Sequence, residues 1–533
     1  MIRNFSGKQR DQLIVAGLAV LVLILGYWRM VPQVCGCFHD DGIYVITAKA
    51  LAQGHGYRLT YLPDPPLQTK YPILYPALLA VIWKLWPSFP DNLFLMKWFT
   101  LVCGAVSVGL SYLYLIRFGY FSRTVAGLSA LMCATSPMFL YFSTQTLSEA
   151  PFALLAILAM WSFEAQREGV SHQGTRQFFL GILLALPFLC RTVGVTLVFA
   201  GLLIQYYRGR ALGGMGLGMA AVMLPWFIWM VAGLGSWHRD PISGYYTDYF
   251  GWWAAMGWSL GLHIIGLNFL NLLLSNVIVT LAGFNQIIRS LNSWASIFLV
   301  FFLGSIPLIT LLTKLCTWRL LPFFIISYLF LILLWPWYPI RFLVPILPFL
   351  YSYFFEGISN FWGRWRIRTW CLLLLGLLLV AANLNLLHAC TKQASQFCYP
   401  YADLVDNPAS WTSYQNLFHW LKIHSQPDDV IASWQDPMIF LYTGRRAIRP
   451  CRINPGLIGY GKDLETYGSA EELFQTLKTH KVRYLVGVPV FAFDQNLLED
   501  LISEMQQKYP GWLRQVYTGK DKRFVVFELT RQK

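Results

Sequence analysis

The stretch "CFHDDGIYVITAKALAQGHGY", residues 37–57, carries two adjacent carboxylates, Asp40 and Asp41, just beyond an apolar run. That run, residues 12–28, is long enough to enter a lipid bilayer. Carboxylates at a membrane edge can act as general bases. They can equally begin a helix over residues 43–53, because Asp is a favoured N-cap and suits the first helical turn. The residues alone leave both interpretations open.

The composition indicates an integral membrane protein. Of the 533 residues, 56% are hydrophobic and only 13% are charged, and the mean hydropathy is +0.48. A soluble protein of this length needs more charged surface, so the composition predicts a chain that crosses the membrane several times.

Apolar runs predict a mainly α fold, a polytopic transmembrane bundle of about eleven helices. The runs lie at residues 12–30, 93–116, 124–142, 150–165, 177–191, 193–207, 211–234, 294–313, 320–336, 341–357 and 369–388. Several are near the short end of the usual membrane span. Two further segments, 72–88 and 259–289, are amphipathic or interrupted, which is also compatible with a position along the interface.

The basic residues predict the orientation, with the N-terminus inside. Every second connection is basic, carrying Arg3, Lys8 and Arg10, then Arg117 and Arg123, Arg167 and Arg176, Arg208 and Arg210, Lys314 and Arg319, and Arg364, Arg366 and Arg368. This positive-inside pattern places residues 31–91, 143–149, 235–293 and those after about 389 on the outer face. The net charge of +15 is then mainly a topology signal, and no nucleic-acid partner is expected.

The tail, residues 391–533, is richer in charge than the bundle, residues 1–390, and predicts a small extracytoplasmic α/β domain. Its composition alternates between segments typical of strands and segments typical of helices. The predicted strands are 428–433, 482–490 and 523–529, and the predicted helices are 469–480, with Ser469 as N-cap, and 496–509.

The sequence after the acidic pair carries a family resemblance. It continues with "IYVITAKALAQGHGY" (43–57) and "PDPPLQTKYPILYPALLAVIWKL" (63–85). An acidic pair, an A-x-x-L-A-x-G-x-G-Y helix end and a Y-P-x-x-Y-P helix entry together resemble the first outer loop of the glycosyltransferase C superfamily. The resemblance is to the protein O-mannosyltransferases and lipid A aminoarabinose transferases in particular.

This resemblance implies an enzyme that moves a sugar from a polyprenyl monophosphate to an acceptor hydroxyl or lipid phosphate at the outer face. The catalytic acid/base role falls on Asp40, with Asp41 as its neighbour. The pair is Asp-Asp here, where the relatives usually carry Asp-Glu, so the class of acceptor stays open.

Lys70, in "TKYP", resembles a lysine that contacts the donor phosphate in the aminoarabinose transferases. An interfacial ammonium can neutralise a phosphate as it leaves. The alternative is a snorkelling lysine that binds any anionic headgroup.

Glu149, in "TQTLSEAPFALL" (144–155), is the second acidic candidate. The segment can simply begin a helix, with Ser148 as N-cap and Pro151 in the first turn. It also resembles the second acidic motif of the superfamily, in which Glu149 would orient the acceptor or help to bind a metal. No metal or other cofactor is expected to be required, although a divalent metal near Asp40 and Glu149 is conceivable.

Two arginines are candidates for binding the donor phosphate. Arg191 lies in "LCRTVGVTLV" and Arg341 follows Tyr338 in "WPWYPIRFLVPILPFLY". Both stretches resemble segments of the superfamily near the donor phosphate, and the planar guanidinium can bond two phosphate oxygens. Ordinary interfacial anchoring is the alternative for Arg191.

The aromatic segment "GSWHRDPISGYYTDYFGWWAAMGWS" (235–259) is typical of an interfacial belt. Aromatic rings also stack on sugar faces, so Trp237, His238 and Asp240 are candidates for an acceptor-binding lid. A lone histidine here does not indicate a metal.

Together these features predict an inverting glycosyltransferase, placed in a bacterial inner membrane with its site on the periplasmic face. The expected partners are a polyprenyl-phosphate-linked sugar, a glycan, lipid or protein acceptor, and membrane lipids. Two alternatives remain: a polysaccharide polymerase or ligase with a lipid diphosphate donor, and a non-enzymatic lipid or sugar transporter.

Overall fold

The computed structural model describes residues 7–166, 173–237, 242, 244, 247, 251–284, 293–335, 337–361, 368–394, 410–451, 468–489, 498–520 and 522–530. Over these residues the chain is mainly helical, with one small sheet near the C-terminus. The coarse fold class predicted from the sequence is therefore confirmed.

The apolar part of the chain forms fifteen helices in the described residues. In chain order they are α1 (Gly7–Arg29), α2 (Asp40–Ala52), α3 (Leu74–Leu85), α4 (Leu93–Arg117), α5 (Arg123–Thr135), α6 (Pro137–Ser143), α7 (Glu149–Glu164), α8 (Gln173–Cys190), α9 (Val195–Tyr207), α10 (Gly213–Trp237), α11 (Gly251–Thr280), α12 (Ser293–Leu315), α13 (Leu320–Leu333), α14 (Leu347–Phe361) and α15 (Arg368–Ala394). Short 3-10 turns lie at Thr192–Gly194, Ala282–Phe284 and Pro339–Ile346.

Seven described helical stretches are long and apolar enough to cross a membrane: Gly7–Arg29, Leu93–Arg117, Gly213–Gly233, Gly261–Thr280, Ser293–Leu315, Pro339–Phe361 and Arg368–Thr391. The ambiguous segment 259–289 therefore contains one of them. Shorter apolar helices cover Leu74–Leu85, Gly174–Cys190, Thr192–Tyr207 and Leu320–Leu333. The count of eleven and the inward N-terminus stay predictions.

The run predicted at 124–142 is broken rather than continuous. Helices α5 and α6 meet at a bend of 60°. Pro137 has no N–H to continue the α5 ladder, and Ser136 begins α6 by accepting a hydrogen bond from the N–H of Phe139 (3.4 Å). If the bent pair is counted as one span, the described candidates number eight.

The chain divides into two compact units. Unit 1 comprises Met1–Met30, Lys97–Phe227 and Trp258–Ala389, and unit 2 comprises Val31–Met96, Ile228–Gly257 and Cys390–Lys533. Most apolar helices belong to unit 1. Unit 2 joins the segment Val31–Met96 with the C-terminal residues, and the boundary near 390 inferred from composition stays a prediction.

Within unit 1, helices α8 and α10 approach each other through glycine. A Cβ atom added to Gly218 would lie 1.9 Å from the carbonyl oxygen of Phe178, which is backbone and cannot rotate away. Small residues at such a crossing allow close backbone packing, as is common between membrane helices.

We expect Gly218→Ala to lower the thermal unfolding midpoint of the purified protein in detergent. The new methyl group must push the two helices apart, at a cost of about 1–3 kcal/mol. Gly216→Ala is the matched control on the same helix, because a Cβ there meets nothing within 4 Å. It should leave the midpoint unchanged or raise it slightly, since Ala favours helix by about 1 kcal/mol over Gly. Equal midpoints for the two variants would contradict this packing.

The C-terminal part of unit 2 is an α/β layer around a five-stranded sheet. The strands are β1 (Val430–Ser433), β2 (Arg446–Ile448), β3 (Val482–Gly487), β4 (Leu513–Thr518) and β5 (Val525–Leu529), in the order β2-β1-β3-β5-β4. Strands β1, β2 and β3 run parallel, and β5 pairs antiparallel with both β3 and β4. The helices are α16 (Trp411–His424), α17 (Asp436–Thr443), α18 (Ala470–Thr479) and α19 (Glu499–Lys508).

The predictions for this region are confirmed for three strands and two helices. Ser469 caps α18 as expected, accepting a hydrogen bond from the N–H of Glu472 (3.1 Å). The sequence pattern missed β2, β4, α16 and α17.

The loop between α1 and α4 packs on this sheet within unit 2. The N–H of Ala447, in β2, donates to the carbonyl of Tyr61 (3.0 Å). The N–H of Cys35 donates to the hydroxyl of Tyr442, in α17 (3.0 Å). Gly36 has φ +96°, and a Cβ there would lie 2.8 Å from the Cβ of Met438, so only glycine fits. The turn before the acidic pair is thus held by the C-terminal residues.

Candidate active site

The acidic pair divides into one buried and one half-exposed carboxylate. Asp41 is 1% exposed. It accepts hydrogen bonds from the backbone N–H groups of Gly36 (2.7 Å, to Oδ2) and Phe38 (2.9 Å, to Oδ1). Neither bond goes to the helix it begins, and His39, the N-cap of α2, makes no side-chain cap bond either. The hydrogen bonds of Asp41 are thus not those of an N-cap, although both carboxylates lie in the first turn of α2, as the helix-start interpretation expects.

Asp40 is half-buried at the first position of α2. Its Oδ1 accepts a hydrogen bond from the hydroxyl of Tyr71 (2.6 Å). Tyr71 also packs edge-on against Tyr44 of α2, with ring centroids 5.4 Å apart. The "HDD" and "TKYP" motifs, thirty residues apart in sequence, thus meet in unit 2.

Gln68 organises the turn that carries Lys70. Its Oε1 accepts hydrogen bonds from the backbone N–H groups of Lys70 (2.8 Å) and Tyr71 (3.1 Å). The backbone carbonyl of Gln68 accepts a hydrogen bond from the indole N–H of Trp229 (2.9 Å). The side chain of Lys70 is 3% exposed. Lys70 is thus a buried residue on an ordered turn, and its contact with a donor phosphate stays a prediction.

Glu149 lies in unit 1, at the start of α7, between the two predicted arginines. Its Oε1 is 2.8 Å from Nη1 of Arg191 and 2.6 Å from Nε of Arg341. Glu149 is fully buried, and the two arginine side chains are 11% and 17% exposed. We call these three residues the Glu149 cluster. The structure therefore brings together three of the predicted site residues from three separate connections.

The Glu149 cluster has one carboxylate for two guanidinium groups, a formal excess of one positive charge. Ser148 does not cap α7, since its hydroxyl instead accepts a hydrogen bond from Arg191 (3.1 Å). Oε2 of Glu149 is buried with no hydrogen-bond partner among the described residues. A buried carboxylate oxygen in that state is costly unless a ligand hydrogen-bonds to it.

We expect Glu149→Gln to lower the unfolding midpoint strongly, because it leaves two buried guanidinium groups without their carboxylate, at about 3–5 kcal/mol. The control is Glu356→Gln, which breaks a more exposed pair in which Lys314 Nζ is 3.4 Å from Glu356 Oε1. That change should cost less than about 1 kcal/mol. Thermal unfolding of both variants in one detergent makes the comparison, and similar losses would mean that the cluster does not stabilise unit 1.

The remaining predicted residues are not part of these two groups. Tyr338 is 51% exposed, just before the 3-10 turn that carries Arg341. Trp237 ends the described part of α10, but its side chain lies outside the described residues, as do His238 and Asp240. Their predicted roles in a lid stay predictions.

The described residues offer no ligand set for a metal. No group of three or more His, Cys, Asp or Glu side chains in the described part of the chain has a geometry that could hold an ion. Glu149 already lies against two positive charges, which disfavours a third cation at its carboxylate. A metal near Asp40 and Glu149 therefore enters no step below.

Four residues near the site were not singled out from the sequence: His39, Tyr71, Asp436 and Arg449. Tyr71 carried a signal, because it lies within the "TKYP" motif beside Lys70. Asp436 and Arg449 carried none, since they lie about 400 positions from the acidic pair.

Comparison with known proteins bears on the family. The family model of dolichyl-phosphate-mannose-protein mannosyltransferases matches residues 70–229. The structure of ArnT from Cupriavidus metallidurans bound to undecaprenyl phosphate has a similar fold, with a TM-score of 0.55 at 12% identity over 98% of each chain. The chain resembles glycosyltransferases of the C superfamily in sequence and in fold. The predicted resemblance to this superfamily is confirmed for residues 70–229 in sequence and for the chain in fold.

Two structures from Archaeoglobus fulgidus share the fold. The oligosaccharyltransferase in complex with Zn and sulfate has a TM-score of 0.54 at 14% identity, covering 96% of this chain and 72% of that chain. The oligosaccharyltransferase AglB with an inhibitory peptide and a dolichol-phosphate has a TM-score of 0.52 at 13% identity, covering 90% and 69%. No curated protein sequence matches the chain significantly. At these identities the likeness shows the fold alone.

Proposed function

We propose that the protein transfers a sugar from a polyprenyl monophosphate to an acceptor hydroxyl by direct displacement, with Asp40 as the base. The observation that carries this proposal is the unequal environment of the acidic pair. Asp41 is buried on backbone amides, whereas Asp40 keeps solvent exposure and is oriented by the Tyr71 hydroxyl. An oriented, accessible carboxylate meets the geometric requirement for a general base.

In the proposed step, Asp40 takes the proton of the acceptor hydroxyl as its oxygen forms a bond to the anomeric carbon. The bond between that carbon and the phosphate oxygen breaks, and its electron pair leaves with the polyprenyl phosphate. One displacement of this kind inverts the anomeric configuration. The acceptor is a hydroxyl of a glycan, lipid or protein.

Lys70 is the proposed partner of the leaving phosphate. It belongs to the same folded loop as Asp40, and the Gln68 bonds fix the backbone of its turn. A buried, preorganised ammonium stabilises developing negative charge more than a solvated one does. The lipid phosphates bound in the ArnT and AglB structures support a donor of this chemical class.

The Glu149 cluster is assigned a binding role rather than a role in proton transfer. Its two guanidinium groups suit a phosphate, because each can donate to two phosphate oxygens, and Tyr338 precedes the turn that carries Arg341. Oε2 of Glu149, which has no hydrogen-bond partner in the described part of the chain, suits a hydroxyl donor on the ligand.

The outer face of a bacterial inner membrane is the proposed location. The alternating basic connections support this orientation. Cys37, in the same loop as Asp40, is disulfide-bonded, whereas Cys35 is not in a disulfide. Disulfides persist in oxidising compartments such as the periplasm, so this bond supports an outer position for the acidic loop.

The test incubates the purified protein with a panel of polyprenyl-monophosphate sugars and an envelope acceptor extract. Released polyprenyl phosphate and transferred sugar are measured for wild type, Asp40→Asn and Asp64→Asn. Asp64 is an exposed carboxylate in the same loop and is the matched control. We expect transfer by wild type and Asp64→Asn, and a loss of at least about 100-fold in Asp40→Asn.

Two outcomes would contradict the proposal. Full activity of a well-folded Asp40→Asn variant would show that Asp40 is not the base. Failure of monophosphate donors to bind, together with turnover of diphosphate donors or lipid movement without transfer, would favour a polymerase, a ligase or a transporter.

A further inference from the structure

His39, the residue before the acidic pair, has an unusual backbone conformation. His39 has φ 61° and ψ −55°, which are backbone angles that residues other than glycine rarely adopt. Such a conformation persists only when its surroundings hold it in place. Because His39 directly precedes Asp40, any relaxation at His39 would move the first turn of α2 and with it the Asp40 carboxylate.

The surroundings that hold His39 come from the C-terminal sheet. Arg449, which directly follows β2, places Nη2 3.3 Å from Nδ1 of His39. Burial and the positive charge of Arg449 keep the pKa of His39 well below its ordinary value. The ring is therefore neutral at neutral pH, and Nδ1 can accept a hydrogen bond from the guanidinium.

A buried carboxylate lies beside Arg449 as its counter-charge. Arg449 is 3% exposed, and its Nε lies 3.9 Å from Oδ1 of Asp436, which is fully buried at the first position of α17. Oδ1 of Asp436 is also 3.7 Å from Nδ1 of His39, too long for a direct hydrogen bond. The contact that holds His39 is thus the one from Arg449, with Asp436 as the counter-charge.

Helix α17, which begins at Asp436, also contacts the turn that contains Gly36. Met438, two residues after Asp436, lies against Gly36, whose N–H binds Asp41. Residues of α17 and the end of β2 therefore surround the turn that presents the acidic pair.

We propose that Arg449, with Asp436 as its buried counter-charge, is a positioning residue that fixes His39 and thereby the carboxylate of Asp40. The C-terminal sheet then contributes to catalysis, because it places the residue that positions Asp40. This inference rests on the proposed function, because it requires Asp40 to be the base. Small displacements of a catalytic group reduce turnover without weakening substrate binding.

The test compares Arg449→Met, Arg449→Lys and Arg446→Gln in the transfer assay. We expect Arg449→Met to lower kcat about 100-fold with KM for the donor within about threefold of wild type, as for a misplaced base. Arg449→Lys keeps the charge and a hydrogen-bond donor, so its kcat should be at least about tenfold higher than that of Arg449→Met. Arg446 is the matched control: it lies in β2 and contacts the first loop elsewhere, through the carbonyl of Pro63 (3.3 Å).

A double-mutant cycle separates positioning from general stability. If Arg449 acts through His39, Arg449→Met should cause little further loss of kcat in a His39→Gln background. Additive losses, or a KM effect with kcat intact, would overturn the inference. If Arg449→Met does not fold, Asp436→Asn decides: we expect about a tenfold loss of kcat at constant KM, and wild-type kcat would overturn the inference.

The two proposals can fail separately. If wild type is active, Asp40→Asn is inactive and Arg449→Met keeps the wild-type kcat, only the positioning role is wrong. If Asp40→Asn is as active as wild type, the proposed function itself is wrong.

Discussion

The arrangement of the loop between α1 and α4 depends on the buried carboxylate of Asp41 and the two backbone amides that it binds. These bonds close the turn over Gly36 and Phe38. A buried carboxylate that accepts amide hydrogen bonds is well satisfied, so Asp41 can stay inside the protein. The turn then fixes where α2 begins, and Asp40 follows at a defined position. Two adjacent identical residues in this way acquire different environments.

The same principle, a buried charge that must be matched, shapes the rest of the candidate site. In unit 1, Glu149 lies between Arg191 and Arg341, and all three side chains are largely buried. In unit 2, Asp436 is the buried counter-charge of Arg449, and Arg449 contacts His39. Such groups are costly to bury, which makes a role in binding or positioning a better explanation than stability alone.

The sequence allowed the class of fold, the acidic loop and the arginine and glutamate candidates to be predicted, because each follows from local hydropathy or a contiguous motif. It could not predict the pairing of Glu149 with Arg191 and Arg341, which are 42 and 192 positions away. Strand β2 has three residues, too few to show a period of two. Tyr71, beside Lys70, could have been found from its motif, whereas Arg449 required the tertiary structure.

The central claim is that Asp41 builds the turn and Asp40 performs the chemistry. The most direct test measures the thermal unfolding midpoint and the sugar-transfer rate of Asp41→Asn beside those of Asp40→Asn. The account predicts that Asp41→Asn lowers the midpoint, because charge-assisted hydrogen bonds contribute about 1.5–3 kcal/mol each. Asp40→Asn should keep the midpoint and lose transfer. An Asp40→Asn protein that unfolds earlier while Asp41→Asn retains the wild-type midpoint would contradict the account.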